Sequence, residues 1–344
     1  MSTRVGVLGA TGAVGQRLVQ LLDPHPEFEI GALTASADSA GRPYREAAKW
    51  RLDVPIPEAV ADVTVTETNP AAIPDDVDLL FSSLPSGVAA EVEPALCEAG
   101  YVVSSNSSNA RLADDVPLTI PELNPDHLDL IEVQRDARGW DGALVKNPNC
   151  STITFVPTVA QLDRFGLERV RVATLQAVSG AGYSGVTSME ILDNVLPHIG
   201  GEEEKMETES RKLLGEFDGA EIERHDVAVS ASCNRVPTLD GHLENVWVET
   251  AADLDPDAAQ SALADAPSAP LPSSPEPLVT TFEDPERPQP RLDRTVGEGM
   301  GIAVGPVQST DAGVAYDCLA HNTLRGAAGA SVLNGELLVR EGWV

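Results

Sequence analysis

The chain has 344 residues, 42% of them hydrophobic, with 54 acidic against 23 basic residues and a formal net charge of −31. That is enough apolar material for a sizeable core in two domains, and a surface of that sign repels nucleic acid and anionic membranes, so neither is expected as a partner. No apolar run approaches a membrane span, Met1-Ser2-Thr3-Arg4-Val5 leads straight into a strand with no room for a secretory leader, and Cys97, Cys150, Cys233 and Cys318 form no CxxC pair; a reducing cytoplasm is expected, and a disulfide framework or metal site is not.

In chain order, residues 4–8 read as an apolar strand and 16–22 as an amphipathic helix ended near Pro24. Further strands are expected at 28–33, 77–81, 101–104 and 143–146. Strands alternating with helix signals predict a Rossmann-type α/β domain over the first 149 residues. Cys150 follows the last of these strands, at or near the start of a helix over 153–162. Beyond it the pattern changes. Runs at 170–177, 225–231, 243–250, 301–306 and 314–320 are β-rich and tend to alternate in polarity, while 187–194 and 203–214 read as helices. They predict an α+β catalytic and dimerisation domain over 150–321 with a mostly antiparallel sheet. Residues 266–290 carry eight prolines and read as a surface loop. A last helix over 323–339 is expected to return to the first domain, making 1–149 with 322–344 the nucleotide-binding unit.

Gly9-Ala10-Thr11-Gly12-Ala13-Val14-Gly15 lies between the first strand and the first helix. In that context glycines let the backbone approach a pyrophosphate, and free N–H groups at the helix start hold its charge. Gly9, Thr11, Gly12, Ala13 and Val14 are the candidate contacts. After the second strand, Thr34, Ser36 and Ser39 offer small hydroxyls suited to a 2′-phosphate, with Arg42 and Arg45 nearby; they favour NADP, whereas Asp38 argues for NAD.

Cys150 lies in Asn147-Pro148-Asn149-Cys150-Ser151-Thr152, and polar neighbours on both sides set it apart from Cys97 and Cys318, which sit in apolar runs and read as core. A helix N-terminus and a histidine both lower a thiol pKa, so Cys150 is the candidate nucleophile. Among six histidines, His242 follows a glycine in Leu239-Asp240-Gly241-His242 that could expose it in a cleft, whereas the others read as turn or strand-end residues. Cys233, beside Asn234 and Arg235, is kept as a supporting residue.

These runs, together with Leu175-Gln176-Ala177-Val178-Ser179-Gly180, Glu202-x-x-Lys205, Asn234-Arg235-Val236-Pro237 and Asn322-Thr323-Leu324-Arg325-Gly326, resemble the aspartate-semialdehyde dehydrogenase family in its archaeal and fungal form. The resemblance runs in order over nearly the whole chain. It implies NADPH-dependent reduction of L-aspartyl-4-phosphate to L-aspartate-4-semialdehyde and phosphate, toward lysine, threonine, methionine and isoleucine. It implies Cys150 as the thioester-forming nucleophile, His242 as general acid/base with a pKa near working pH, and Gln176 as a substrate-orienting group. Arg235 would fork onto the substrate carboxylate, Glu202 meet its ammonium, and Arg111 and Lys205 hold the phosphate. Ser179, Gly180 and Asn322 would lie near the nicotinamide, and the protein would be a cytoplasmic homodimer or homotetramer without a metal.

Glu202 also reads as the start of a solvated Glu-Glu-Glu helix turn, and Lys205 as an i,i+4 surface partner of Glu209. Rival activities are N-acetyl-glutamyl-phosphate reduction, which needs no ammonium site, and malonyl-coenzyme A reduction, which needs a coenzyme A groove. A non-catalytic NADP sensor would have no use for Cys150, Gln176 and His242 together, and a cysteine hydrolase no use for a dinucleotide turn. The acidic residues are spread along the chain, which points to a salt-rich cytoplasm: at about 1 M salt the Debye length falls to about 3 Å and self-repulsion largely vanishes.

Overall fold

A computed structural model describes residues 2–182 and 184–344. Its first sheet is formed by β1 (Thr3–Leu8), β2 (Phe28–Ala35), β3 (Thr66–Glu67), β4 (Leu79–Ser82), β5 (Val102–Ser105) and β6 (Ala143–Lys146), all parallel, in the order β3-β2-β1-β4-β5-β6. Every residue of β4, β5 and β6 is buried, as expected of strands covered on both faces. One face is covered by α1 (Ala13–Leu22) through Leu18, Val19 and Leu22, each side chain worth roughly 1.5–3 kcal/mol of burial. The other is covered by α2 (Ser86–Glu98) through Ala89, Leu96 and Cys97. The strand order reverses between β1 and β4, so the glycine turn after β1 opens at the switch point where such sheets bind ligands. Helix α3 (Leu130–Arg138) packs Ile131 into the α1 side.

The second sheet comprises β7 (Leu167–Gln176), β8 (Ala228–Arg235), β9 (His242–Thr250), β10 (Val279–Thr281), β11 (Ile302–Val304), β12 (Gln308–Thr310) and β13 (Gly313–Ala320). Its order is β8-β7-β9-β13-β11-β10, with β12 beside β13. The central pairings are antiparallel, but β8 runs parallel to β7 and β10 parallel to β11. One face is covered by α4 (Thr152–Ala160), α5 (Glu202–Leu213) and α6 (Pro256–Ala264), which share a core with Val170, Val172, Val246 and Val248.

That alternation places the chemistry. Gln176, Arg235 and His242 all belong to the inward-facing sets of their strands. Gln176 pairs with Arg235 at the parallel ends of β7 and β8, and the antiparallel β9 starts with His242 at the same edge. Helix α4 lies over that face, so its N-terminal turn, with Cys150, meets them.

Several expectations shift. The strand expected at 225–231 runs Ala228–Arg235, because the His225 ring accepts a hydrogen bond from Val227 N–H at 3.0 Å and closes a turn there. The helix expected at 187–194 is a single turn, Ser188–Ile191. The proline-rich 266–290 segment is not merely a surface loop: Leu271 and Leu278 are buried and Val279–Thr281 forms the sheet-edge strand β10, a position where flanking prolines cost no ladder bonds. The expected last helix begins as a wide π-type turn, Leu324–Ala328, before α7 (Gly329–Arg340), which packs Val332, Leu333 and Leu337 onto the first sheet.

Candidate active site

The turn that carries Cys150 is built by its asparagines. Asn149 Oδ1 accepts from Ser151 N–H at 2.9 Å and Thr152 N–H at 3.3 Å and so caps α4. Asn147 Nδ2 donates to Asn106 Oδ1 at 2.8 Å and to the Ala327 carbonyl at 3.1 Å, tying the turn to the C-terminal element. A Cβ on Gly326 would lie 2.7 Å from Cys150 Cβ, so the wide turn crosses Cys150 only as glycine. Of the four free cysteines Cys150 alone is not fully buried. Cys233, kept as a supporting residue, instead turns into the core against Met206 Sδ at 3.5 Å.

Cys150 Sγ lies 3.3 Å from His242 Nε2. On the far side of the ring, Nδ1 accepts the Ala177 N–H at 3.1 Å. Nδ1 is therefore bare, and in the neutral ring Nε2 carries the hydrogen and points it at sulfur. Far from being exposed in a cleft, His242 is fully buried. Burial pushes its pKa down to about 3, with Arg235 and His321 acting the same way, so the expected titration near working pH is not found. The thiol moves opposite to expectation as well. Burial, then Glu202, push Cys150 up to about 12, against the opposing pull of Arg111 and Arg235. Desolvation outweighs the helix N-terminus, and the pair is neutral thiol beside neutral imidazole.

Around this pair stand the remaining candidates. Arg235 Nη1 donates to the Ala177 carbonyl at 2.8 Å, while Gln176 Nε2 is buried with no partner. A Cβ on Gly180 would fall 2.7 Å from Arg235 Nη1 and 3.2 Å from His242 Cε1, so a side chain there would have to displace the Arg235 guanidinium. Glu202 is no solvated helix start: it is 8% exposed, with Oε2 accepting from Asn149 Nδ2 at 2.8 Å and Oε1 paired with Lys205 at 2.7 Å. Lys205 thus pairs three residues back and not with Glu209. Glu209 is buried, its Oε1 2.9 Å from Arg111 Nη1 and its Oε2 accepting from Asn149 N–H at 2.6 Å. Arg111 Nη2 donates to the Asn106 carbonyl at 2.8 Å, and its Nε is buried without a partner.

Two functional neighbours escaped the sequence reading: Glu209 and Lys212, whose Nζ donates to the carbonyls of Arg111, Ala113 and Val116 at 3.1, 2.7 and 2.6 Å. The signal was present. From Glu202, the positions +3, +7 and +10 reach Lys205, Glu209 and Lys212 on one helical face.

A cavity of about 380 Å³ runs from Ala13 and Gln16 at the start of α1 to Val178, Ser179, Leu239 and Thr323, and Ser179 directly precedes the Gly180 that faces His242. Gly9 has φ +74°, and a Cβ on Gly15 would lie 2.2 Å from the Gly9 carbonyl oxygen. Such a turn can approach a dinucleotide closely, with Thr11, Gly12, Ala13 and Val14 at the start of α1. Ser36 is exposed, and its carbonyl accepts Ser39 N–H at 2.9 Å, which presents both serines at the loop after β2. Thr34 is not available there: it is buried with its hydroxyl 2.8 Å from that of Thr68. Arg45 pairs with Asp62, whereas Arg42 Nη2 donates to the Asp38 carbonyl at 2.9 Å. Asn322 pins two site loops, accepting from Gly241 N–H and donating to Ser179 Oγ, both at 2.8 Å.

Residues 4–131 match the family described as semialdehyde dehydrogenase, NAD binding domain, and residues 160–325 that described as semialdehyde dehydrogenase, dimerisation domain. Aspartate-semialdehyde dehydrogenase of Archaeoglobus fulgidus is 51% identical over 342 residues, with 99% of each chain covered. That of Schizosaccharomyces pombe is 44% identical over 352 residues, with 98% of each covered. The crystal structure of aspartate semialdehyde dehydrogenase with NADP from Candida albicans is similar at a TM-score of 0.90 and 37% identity over 100% of both chains.

Proposed function

We infer the activity from kinship and site together: the chain belongs to the aspartate-semialdehyde dehydrogenase family. It is an NADP-dependent oxidoreductase that interconverts L-aspartyl-4-phosphate and L-aspartate-4-semialdehyde, in amino-acid biosynthesis. The observation that carries this reading is the Cys150–His242 contact of 3.3 Å, with the buried Arg111 and Arg235 in the same cluster.

Cys150 Sγ attacks the acyl carbon, the C–O bond to phosphate breaks, and a thioester forms on sulfur. His242 Nε2 already carries a hydrogen, so the thiol proton leaves with the departing phosphate, the nearby base. When bound in the cavity, the cofactor supplies the hydride that reduces the thioester. The C–S bond then breaks to free the aldehyde, a proton returns to sulfur to restore the thiol, and His242 Nε2–H donates toward sulfur and the reacting oxygen throughout. Arg235 forks onto the substrate carboxylate, and the unpartnered Gln176 Nε2 meets a substrate oxygen. Glu202 faces the ammonium, and Arg111 Nε, with Lys205, holds the phosphate. An ammonium against Glu202 offsets the smaller, electrostatic part of the rise in the Cys150 pKa, while burial, the larger cause, remains, so the substrate eases ionisation of the nucleophile in part.

The NADP preference rests on Ser36, Ser39 and Arg42 beside the adenosine end, with no carboxylate directly at the end of β2. The nucleotide-binding unit is 1–149 with 322–344, and 150–321 carries catalysis and self-association as a cytoplasmic homodimer or homotetramer. Absorbance at 340 nm on mixing protein, NADP, phosphate and aspartate semialdehyde tests the activity. Cys150→Ser is expected to abolish it with NADP binding intact, and turnover near the wild-type rate in that variant would remove Cys150 from the reaction.

A further inference from the structure

We propose that Glu209 is a positioning residue that fixes the distance between the phosphate-holding Arg111 and the nucleophile turn. The inference rests on the reading of Arg111 as a phosphate ligand. Glu209 is 1% exposed, and each of its oxygens has one partner: Oε1 the Arg111 guanidinium at 2.9 Å, Oε2 the Asn149 N–H at 2.6 Å, one residue before Cys150. One carboxylate therefore spans the two halves of the reacting group, the acyl carbon at sulfur and the phosphate at arginine.

The guanidinium is oriented by two bonds, Nη1 to Glu209 and Nη2 to the Asn106 carbonyl. Of the five N–H donors these bonds use two, and Nε is the one nitrogen left wholly without a partner, buried and available to meet a phosphate oxygen. The same helix also holds the Arg111 main chain, through Lys212 Nζ on the Arg111 carbonyl at 3.1 Å. It further holds the Asn149 side chain, through Glu202 at 2.8 Å. Helix α5 thus grips both loops, with Glu209 the residue common to both. A glutamine cannot replace it. Both partners are donors, and an amide has only one oxygen, so its NH₂ must face an N–H.

The test is steady-state kinetics in the oxidative direction, with phosphate as the varied substrate, for E209Q, E209D, R111Q and R111Q/E209Q. The expected result for E209Q is a KM for phosphate raised on the order of tenfold to a hundredfold, with the Kd for NADP unchanged. E209D keeps the charge but is too short to span both partners, and is expected to raise the same KM; it carries the test if E209Q does not fold. The double variant is expected to match R111Q alone, because the effect passes through the arginine. A phosphate KM within twofold of wild type in E209Q or E209D, while R111Q raises it, would overturn the coupling alone. A double variant whose losses multiply would also overturn it. An unchanged KM in R111Q would overturn the phosphate role of Arg111 and the coupling with it.

Discussion

Alkylation of Cys150 in the substrate-free protein separates a neutral pair from an ion pair. With burial and Glu202 holding the thiol at about 12, the thiolate fraction at pH 7.5 is about 3 in 10⁵, against about 1 in 10 for an ordinary thiol near 8.5. Higher basicity returns part of the difference: with a Brønsted slope of about 0.45 over about 3.5 units, each thiolate reacts roughly 40-fold faster. The net expectation is iodoacetamide alkylation about two orders of magnitude slower than for a small ordinary thiol. The logarithm of the rate should rise with unit slope through the neutral and mildly alkaline range, without a plateau. Glu202→Gln removes the second-largest cause of the raised value, so it should shift the line to faster rates at every pH while keeping its slope. The assay is mass-spectrometric labelling of Cys150 against pH in wild type and variant. A plateau at or below pH 8 would show a stable thiolate, and with it a His242 that is protonated despite the Ala177 N–H on Nδ1; the neutral-pair argument would then be wrong.

Arg235→Lys should lower kcat/KM for aspartate semialdehyde far more than its retained charge suggests, since a point charge cannot reproduce a fork; a rise in the Kd for NADP in step would instead make Arg235 a cofactor ligand. Burial holds the Lys212 ammonium down at about 8, so between about pH 8 and 10.5 the unfolded chain binds more protons than the native state and this group adds stability as pH rises. Urea unfolding of wild type and Lys212→Met across that window should show wild type gaining relative to the variant, and a constant difference would refute the shift. Thermal midpoints measured by far-UV CD should rise by many degrees between 0.1 and 3 M KCl because the net charge of −31 is screened, and a flat series would sink the reading of a salt-adapted surface.

The parallel domain was legible because its cues are local. A strand, three glycines and a helix start lie within twenty residues, and the steric need for Gly15 against the Gly9 carbonyl needs no distant partner. The thiol and histidine were legible as residue types but not as electrostatic states. Their pKa values depend on the depth at which β9 and α4 bury them, which no spacing reveals. Glu202 shows the same limit from the other side. A Glu-Glu-Glu helix start reads as solvated, yet Gly201, with φ +74°, turns the chain so that the first glutamate faces inward onto Asn149. Thr34 misled because a hydroxyl at a strand end looks available, while β3, a two-residue strand with almost no sequence signal, brings Thr68 to cover it.

The scarcity of lysine has a structural logic. Of the four lysines, Lys146 and Lys212 are buried: Lys146 lies 2.5 Å from Glu93 and 2.8 Å from Ser107 Oγ, and Lys212 is bound to three carbonyls of the Arg111 loop. Lys205 is held by Glu202, leaving Lys49 as the one exposed lysine. Arg111, Arg235 and Arg325 are buried as well, Arg325 against Glu122 at 2.6 Å. The interior thus consumes cations from a chain that has few, and the surface is left more acidic than the overall ratio implies. Salt acts on the two populations differently. Buried pairs are shielded from mobile ions, whereas exposed carboxylates are screened within a few ångströms at molar salt. Raising salt therefore relieves surface repulsion without loosening the ion pairs that hold Arg111 and the nucleophile turn, so catalytic geometry and salt tolerance do not compete in this fold.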